Sequence, residues 1–371
     1  MKVVAAIDSF KGCATSAEIN QAVLSKLNPA IWQEKVNVPI ADGGEGTIAA
    51  IQAALGGEEV RVESVDPLLR KIQGSYLLTT IENKKTAIIE SATFIGIDLV
   101  EVSDKTVRQA TSYGLGVAVA DALQKVEQIY VTLGGSATSD GGLGMLQALG
   151  GKIVPNTTGN LLLTVEDIDL REVREKFKHV SLHVLADVTN EYCGSRSFAN
   201  VFARQKGASS QTIKKMEQQA NKVLQLVEKQ GYLGNLSGTG AAGGLGGAFT
   251  WLGGNILSGF TTIQQLIGLE TIIQDADLIF TGEGKLDAQT AQGKVPFGVA
   301  NLAKKYHVPV IAVCGSRENY LGKMEELVLG AFSIQQGPIS LEKAMEKQRT
   351  LSNLATLAKE VVQVFQYEKD K

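Results

Sequence analysis

Apolar residues along this chain follow two patterns that take turns: short β-branched runs, and stretches where they recur every three or four positions. Val3 to Ile7 is such a run and predicts a buried strand. Beyond it, Thr15 and Glu18 have capping-box spacing, and Ile19, Ala22, Val23 and Leu27 share one face of the helix they open. The unit repeats, with a strand over Val36 to Ile40 and a helix over Ile48 to Leu55 that Gly56 and Gly57 stop. Near residue 58 the pattern changes. EEVRVESV, GSYLLTTI and KTAIIESA are β-rich and leave no room for crossover helices, so they predict antiparallel pairing. A helix over residues 106–124, interrupted by Tyr113-Gly114-Leu115-Gly116, leads to a strand at Ile129, Tyr130 and Val131. The helix after that strand is closed by Gly150 and Gly151. Leu182 to Asp187 reads as a strand, and residues 209–229 as an exposed amphipathic helix. From Asp277 the βα rhythm returns, with strands over Leu278 to Thr281 and Val308 to Cys314 around a helix at Val299 to Lys305. A last helix carries Leu351, Leu354, Leu357, Val361 and Phe365 on one face.

Two βα-patterned ends around a different middle predict one discontinuous α/β domain, residues 1–60 and 275–371, with residues 61–274 inserted as a second. The expected active site lies in the cleft between them. Composition then removes several functions. A net charge of −3, from 36 basic and 39 acidic residues without a block of five like charges, argues against a nucleic-acid surface or a polybasic membrane patch. Cys13, Cys193 and Cys314 lie far apart without CxxC spacing, which suits a reducing cytoplasm better than a disulfide framework or a zinc site. The opening MKVVAAIDSFKG is too short in apolar residues for a signal peptide, and no uninterrupted apolar stretch approaches membrane-spanning length. Glycine is the outlier, with 40 residues gathered in clusters.

Those clusters carry the candidate chemistry. DSFKG (8–12), ADGGEGT (41–47), GGSATSDGG (134–142) and TGEGKLDAQT (281–290) each place glycine and an acid between a strand and a helix, and LADVTN (185–190) ends a strand in Asp187. Glycines let a phosphate approach the main chain, lysines meet its oxygens, and carboxylates hold Mg²⁺, the acid of the third loop, Asp140, among them. Any one acid at a strand end is more often a cap or turn residue; several beside Lys11, Lys285 and Lys294 point to phosphoryl transfer. Other signals lead elsewhere. Gly238-Thr239-Gly240-Ala241-Ala242-Gly243 matches GxGxxG but follows no clear strand, and GxxxxGK[ST] and GxSxG are absent. His179 and His183 sit on a segment with strand character, where the spacing cannot bring both rings to one metal. Lys206-Gly207 could reach an anion or form a solvated turn, and Trp32 and Trp251 read as packing residues.

Taken together, DSFKG, ADGGEGT, ESA (90–92), ATSYG (110–114), GGSATSDGG, AAGGLGGA and TGEGKLDAQTAQGKVPFGVA resemble the type I glycerate kinase family, in family order from residue 8 to about 315. The resemblance implies a flavodoxin-like, three-layer α/β domain built from both chain ends, with an inserted α/β domain of mixed or antiparallel strands. It also implies ATP-dependent, Mg²⁺-assisted phosphorylation of D-glycerate to 2-phosphoglycerate, or alternatively 3-phosphoglycerate. The chain departs from the family pattern at Ile7, Cys13, Ser139 and Lys285, and most of all over residues 188–206. On this reading Asp187, Lys11 and Asp287 are the catalytic candidates, with Asp187 orienting or deprotonating the substrate hydroxyl. Ser9, Asp42, Glu45, Gly134, Gly135, Ser136, Thr138, Lys285 and Lys294 would bind substrate or phosphate, and Glu283 and Asp287 the metal. Two rivals remain at this point: a kinase for another small hydroxy acid, and a non-catalytic sensor of a phosphorylated or carboxylic metabolite. The sensor would not need several acids around one anion, because like charges repel unless a cation intervenes.

Overall fold

In the computed structural model, which describes residues 1–291 and 293–369, the strands run in chain order as follows. They are β1 (Lys2–Ile7), β2 (Glu34–Asn37), β3 (Glu58–Val65), β4 (Lys71–Ile81), β5 (Lys84–Glu90), β6 (Gln128–Thr132), β7 (Lys152–Val154), β8 (Asp167–Asp169), β9 (Ser181–Leu185), β10 (Asn255–Leu257), β11 (Leu278–Leu286), β12 (Val310–Arg317) and β13 (Gly330–Ser333). The chain divides into two α/β units. One comprises residues 1–42, 49–55 and 260 onward, the other Gly43–Ile48 and Gly56–Gly259.

The first unit is a parallel sheet in the order β2-β1-β11-β12-β13, the flavodoxin-like order. Both faces of β1 are buried, as an apolar run without alternation requires. Val3, Ala5 and Ile7 share a core with Ile19 and Val23 of the helix Ser16–Ser25 and with Leu354, Ala358 and Val362 of the helix Lys347–Lys369. Val4 and Ala6 are fully buried on the opposite face. The predicted capping box is present: Thr15 accepts from the Glu18 N–H, and Glu18 accepts from the Thr15 N–H.

The second unit is a mixed sheet in the order β10-β9-β6-β5-β4-β3. β3, β4 and β5 pair antiparallel, as the short turns between them demand, and β5, β6, β9 and β10 pair parallel. The helix Ser210–Glu228 covers the core with Ile213, Met216, Ala220, Val223 and Val227. The helix expected over residues 106–124 breaks at Ala110–Ser112 rather than at the glycines. There the Thr111 N–H goes to Pro67 and the Ser112 N–H to Asp140, while Gly114 and Gly116 continue the second helix. The glycine-dense stretch near residue 240 is a kinked helix, Ala241–Trp251. Its Gly243 lies so close to the Thr138 carbonyl that a Cβ would stand 2.1 Å from it, so the GxGxxG match is a packing seat for the 134–142 loop. Among the described residues no helix is long and apolar enough to cross a membrane.

Candidate active site

In the first unit the acids gather at the carboxyl ends of parallel strands, the edge where such sheets bind ligands. Asp8 follows β1 and is buried, with the Ser9 N–H donating to it at 2.7 Å. Burial first, then the charges of Asp42 and Glu283, push its pKa up to about 7 against the pull of Ser9 and Lys11. Glu283 was expected in a loop. Instead β11 continues through Leu286, because β12 extends beside it to Arg317. Glu283 is 8% exposed and takes the Thr290 hydroxyl at 2.6 Å and the Lys294 ammonium at 3.1 Å. Burial raises its pKa against those two partners. Asp287 faces other company: the Gln289 N–H at 2.9 Å and Lys285 at 3.2 Å. Burial opposes these, but they hold its carboxyl below the ordinary value. Lys285 also bonds Glu318 at 2.9 Å and is about half exposed. The Ser9 hydroxyl is buried without a partner, and Lys11 is exposed.

In the second unit the same edge is formed by β5, β6 and β9. Glu90 ends β5 and accepts the Ile48 N–H at 2.8 Å, with the Gly46 and Thr47 amides also turned to it. It thereby caps the helix Thr47–Leu55, so that helix end is already occupied by a carboxylate. Burial and the neighbouring charge of the exposed Glu45 raise the Glu90 pKa against the three amides. After β6, Gly134 approaches Gly44 so closely that a Cβ would lie 2.9 Å from its Cα. Gly43 packs on Gly259, and the Gly259 N–H donates to Asp187 at 2.8 Å beside the Ser258 hydroxyl at 3.0 Å. The structure therefore brings Glu45, Gly134, Gly135 and the exposed Asp187 to one sheet edge. Ser136 and Thr138 are held from behind by Lys206, which donates to Ser136 Oγ at 3.1 Å and to the Thr138 carbonyl at 2.7 Å. The acid of this loop is not available to a metal. Asp140 is fully buried, and its carboxylate accepts the Ser112 N–H and hydroxyl and the Gly142 and Gly144 amides. Burial raises its pKa despite these four donors.

Three residues outside the predicted set matter here: Asp8, Glu90 and Lys206. Asp8 had a readable signal, since it ends an apolar strand beside Ser9 and Lys11. Glu90 stood in the ESA stretch and Lys206 in a segment that could reach an anion or form a solvated turn. The structure buries Lys206, and both act through partners more than forty residues away, which local pattern does not identify. Among the described residues no three His, Cys, Asp or Glu side chains form a metal-holding group. His183 instead stacks on Tyr130, with ring centroids 4.6 Å apart.

Comparison with known proteins covers nearly the whole chain. The profile of the glycerate kinase family matches residues 3–366. The chain is 36% identical to the Glycerate 2-kinase of Escherichia coli (strain K12), over 93% of each sequence. It is 34% identical to a Glycerate kinase of Bacillus cereus (strain ATCC 10987 / NRS 248), over 100% of both. A solved structure of a provisionally assigned glycerate kinase 2 from Salmonella typhimurium LT2 superposes with a TM-score of 0.85 at 32% identity, covering 100% of each chain. On these matches, spanning both units and every glycine-rich loop, the chain belongs to the glycerate kinase family of phosphotransferases.

Proposed function

We propose that this chain is a type I glycerate kinase that transfers the γ-phosphoryl group of ATP to D-glycerate with the help of Mg²⁺, giving 2-phosphoglycerate. The observation that carries the reading is the buried Asp8 at the end of β1 with the charges of Asp42 and Glu283 acting on it; burial first, and then those charges, raise its pKa to about 7. Such like-charge crowding is relieved by a divalent cation, and an all-oxygen donor set suits Mg²⁺. A kinase needs only one or two protein carboxylates on the ion, the remaining positions going to phosphate and water. Asp8 and Asp42 are candidates for it beside Glu283 and Asp287, because the charge of Asp42 acts directly on the buried Asp8. When bound, the ion would supply charge neutralisation on the transferred group. Lys11, Lys294 and the Ser9 hydroxyl serve phosphate oxygens, and Gly134, Gly135, Ser136 and Thr138 receive an anionic group of substrate.

The glycerate hydroxyl oxygen attacks Pγ, an O–P bond forms, and the bond from Pγ to the bridging oxygen breaks to release ADP. The hydroxyl proton passes to Asp187, which Ser258 and Gly259 hold in one orientation. The 2-phosphate product is supported by the relative named Glycerate 2-kinase. The test is an ATP-consumption assay over D-glycerate and a panel of small hydroxy acids, with and without EDTA, and ³¹P NMR of the product. Turnover of D-glycerate that stops on chelation is expected. Binding without turnover on any hydroxy acid sinks the kinase reading, and turnover that persists in EDTA sinks the metal.

A further inference from the structure

An ammonium group buried without a carboxylate partner costs several kcal/mol of desolvation, so its presence demands a reason. Lys206 is 5% exposed. It closes a tight turn, Arg204–Lys206, and Gly207 after it is pressed against Ser103, where a Cβ would stand 2.6 Å from the amide nitrogen. The backbone thus fixes the lysine's path inward. Two of its N–H bonds go to Ser136 Oγ and the Thr138 carbonyl. Among the described residues no carboxylate pairs with it. The charge acting on it is Asp140, whose oxygens already accept from Ser112, Gly142 and Gly144. Ser136 accepts from Lys206 and so keeps its own proton to donate, while Thr138 Oγ1 and Ser139 Oγ are buried without partners. Gly135, just before them, is exposed.

We infer that Lys206 is the cation behind this loop, orienting Ser136 and Thr138 and supplying the positive charge for one anionic oxygen group of substrate, a carboxylate or a phosphate, docked on residues 134–138. This rests on the phosphotransferase reading above. Lys206 touches the loop and not the reacting atoms, so it is a positioning residue. Burial lowers its pKa to about 8, with Asp140 acting in the opposite sense. Its charge is therefore present at neutral pH and fades above that value.

The experiment uses the full chain with Lys206→Met and Lys206→Arg. ATP and D-glycerate binding are measured separately by calorimetry at pH 7 and pH 9, alongside KM, kcat and Tm. Lys206→Met is expected to weaken one of the two ligands at least tenfold and leave the other within twofold, which tells phosphate from carboxylate. Wild-type affinity for that same ligand should fall between pH 7 and 9, the variant's should not, and Lys206→Arg should retain part of the affinity. Affinity for both ligands within twofold of wild type in Lys206→Met overturns the inference, whatever happens to Tm, because a lysine that only pins the loop would change Tm alone. If Lys206→Met does not fold, flat wild-type affinities for both ligands across that pH range overturn it instead. A wild-type protein that binds ATP in a Lys206-dependent way yet never phosphorylates glycerate would remove the glycerate reading and leave this inference standing.

Discussion

Asp187 stands open to solvent with Ser258 and Gly259 donating to it, whereas Asp140 is enclosed by four donors from Ser112, Gly142 and Gly144. The two aspartates therefore respond differently to substitution. Asp187→Asn should lower kcat by roughly 10²–10⁴ and leave the Mg²⁺ concentration for half activity unchanged. Its Tm should barely move, since the side-chain oxygen of asparagine can still accept from Ser258 and Gly259. Normal turnover in that variant would remove Asp187 from the reaction. Asp140→Ala should instead cost about 3 kcal/mol or more in urea unfolding, because several buried donors lose their acceptor together. A variant as stable as wild type would contradict that structural role. Lys206 gives a pH signature with a definite sign. Its folded pKa of about 8 lies below the ordinary 10.5, so between those values the unfolded chain binds more protons and stability rises with pH. Thermal melts of wild type should climb relative to Lys206→Met from pH 8 to pH 10.5, with the difference flat below that window. The sequence displayed all these residues by type. It could not separate Asp140 from Asp187, because burial and donors arrive from segments distant in the chain.

Among the elements, long apolar periodicities were the most legible part. The capped helix after β1, the antiparallel β3–β5 and the core face of Ser210–Glu228 all followed from local pattern. Two features were hidden for the same physical reason, a partner elsewhere. Gly282-Glu283-Gly284-Lys285 reads as a turn by composition, yet β12 supplies a ladder that keeps it a strand. The glycines at 114 and 116 suggested a break, but the break lies where Thr111 and Ser112 find acceptors outside the helix. Glu90 likewise joins two elements, the end of β5 and the start of Thr47–Leu55. Glu90→Ala should cost about 1–2 kcal/mol by uncapping that helix, read by denaturant midpoint, and should loosen the Gly44–Gly134 contact enough to lower kcat/KM. Unchanged stability would mean that the helix end is satisfied by water alone.

At the level of the whole chain, the βα rhythm at both ends pointed to one discontinuous α/β domain and the family resemblance to its flavodoxin-like form, whereas the strand order itself depends on long-range pairing that local pattern does not carry. The unit carrying residues 56–259 has its own sheet and core, whereas the other depends on the last third of the sequence. Deleting residues 316–371 removes β13 and the helix that packs with Ser16–Ser25, so calorimetry should lose the transition of the first unit and keep that of the second. A truncated protein that retains both transitions would contradict this dependence. The same sheet order has a consequence on the ribosome. β1 lies between β2 and β11, and β11 does not begin until Leu278. At about 5–20 residues per second, the Val3–Ile7 run waits tens of seconds with one edge unpaired while the second unit is synthesised in full. A nascent chain of this protein is therefore expected to need shelter for its first strand for most of its synthesis, and folding of the amino-terminal segment must come nearly last although it is made first.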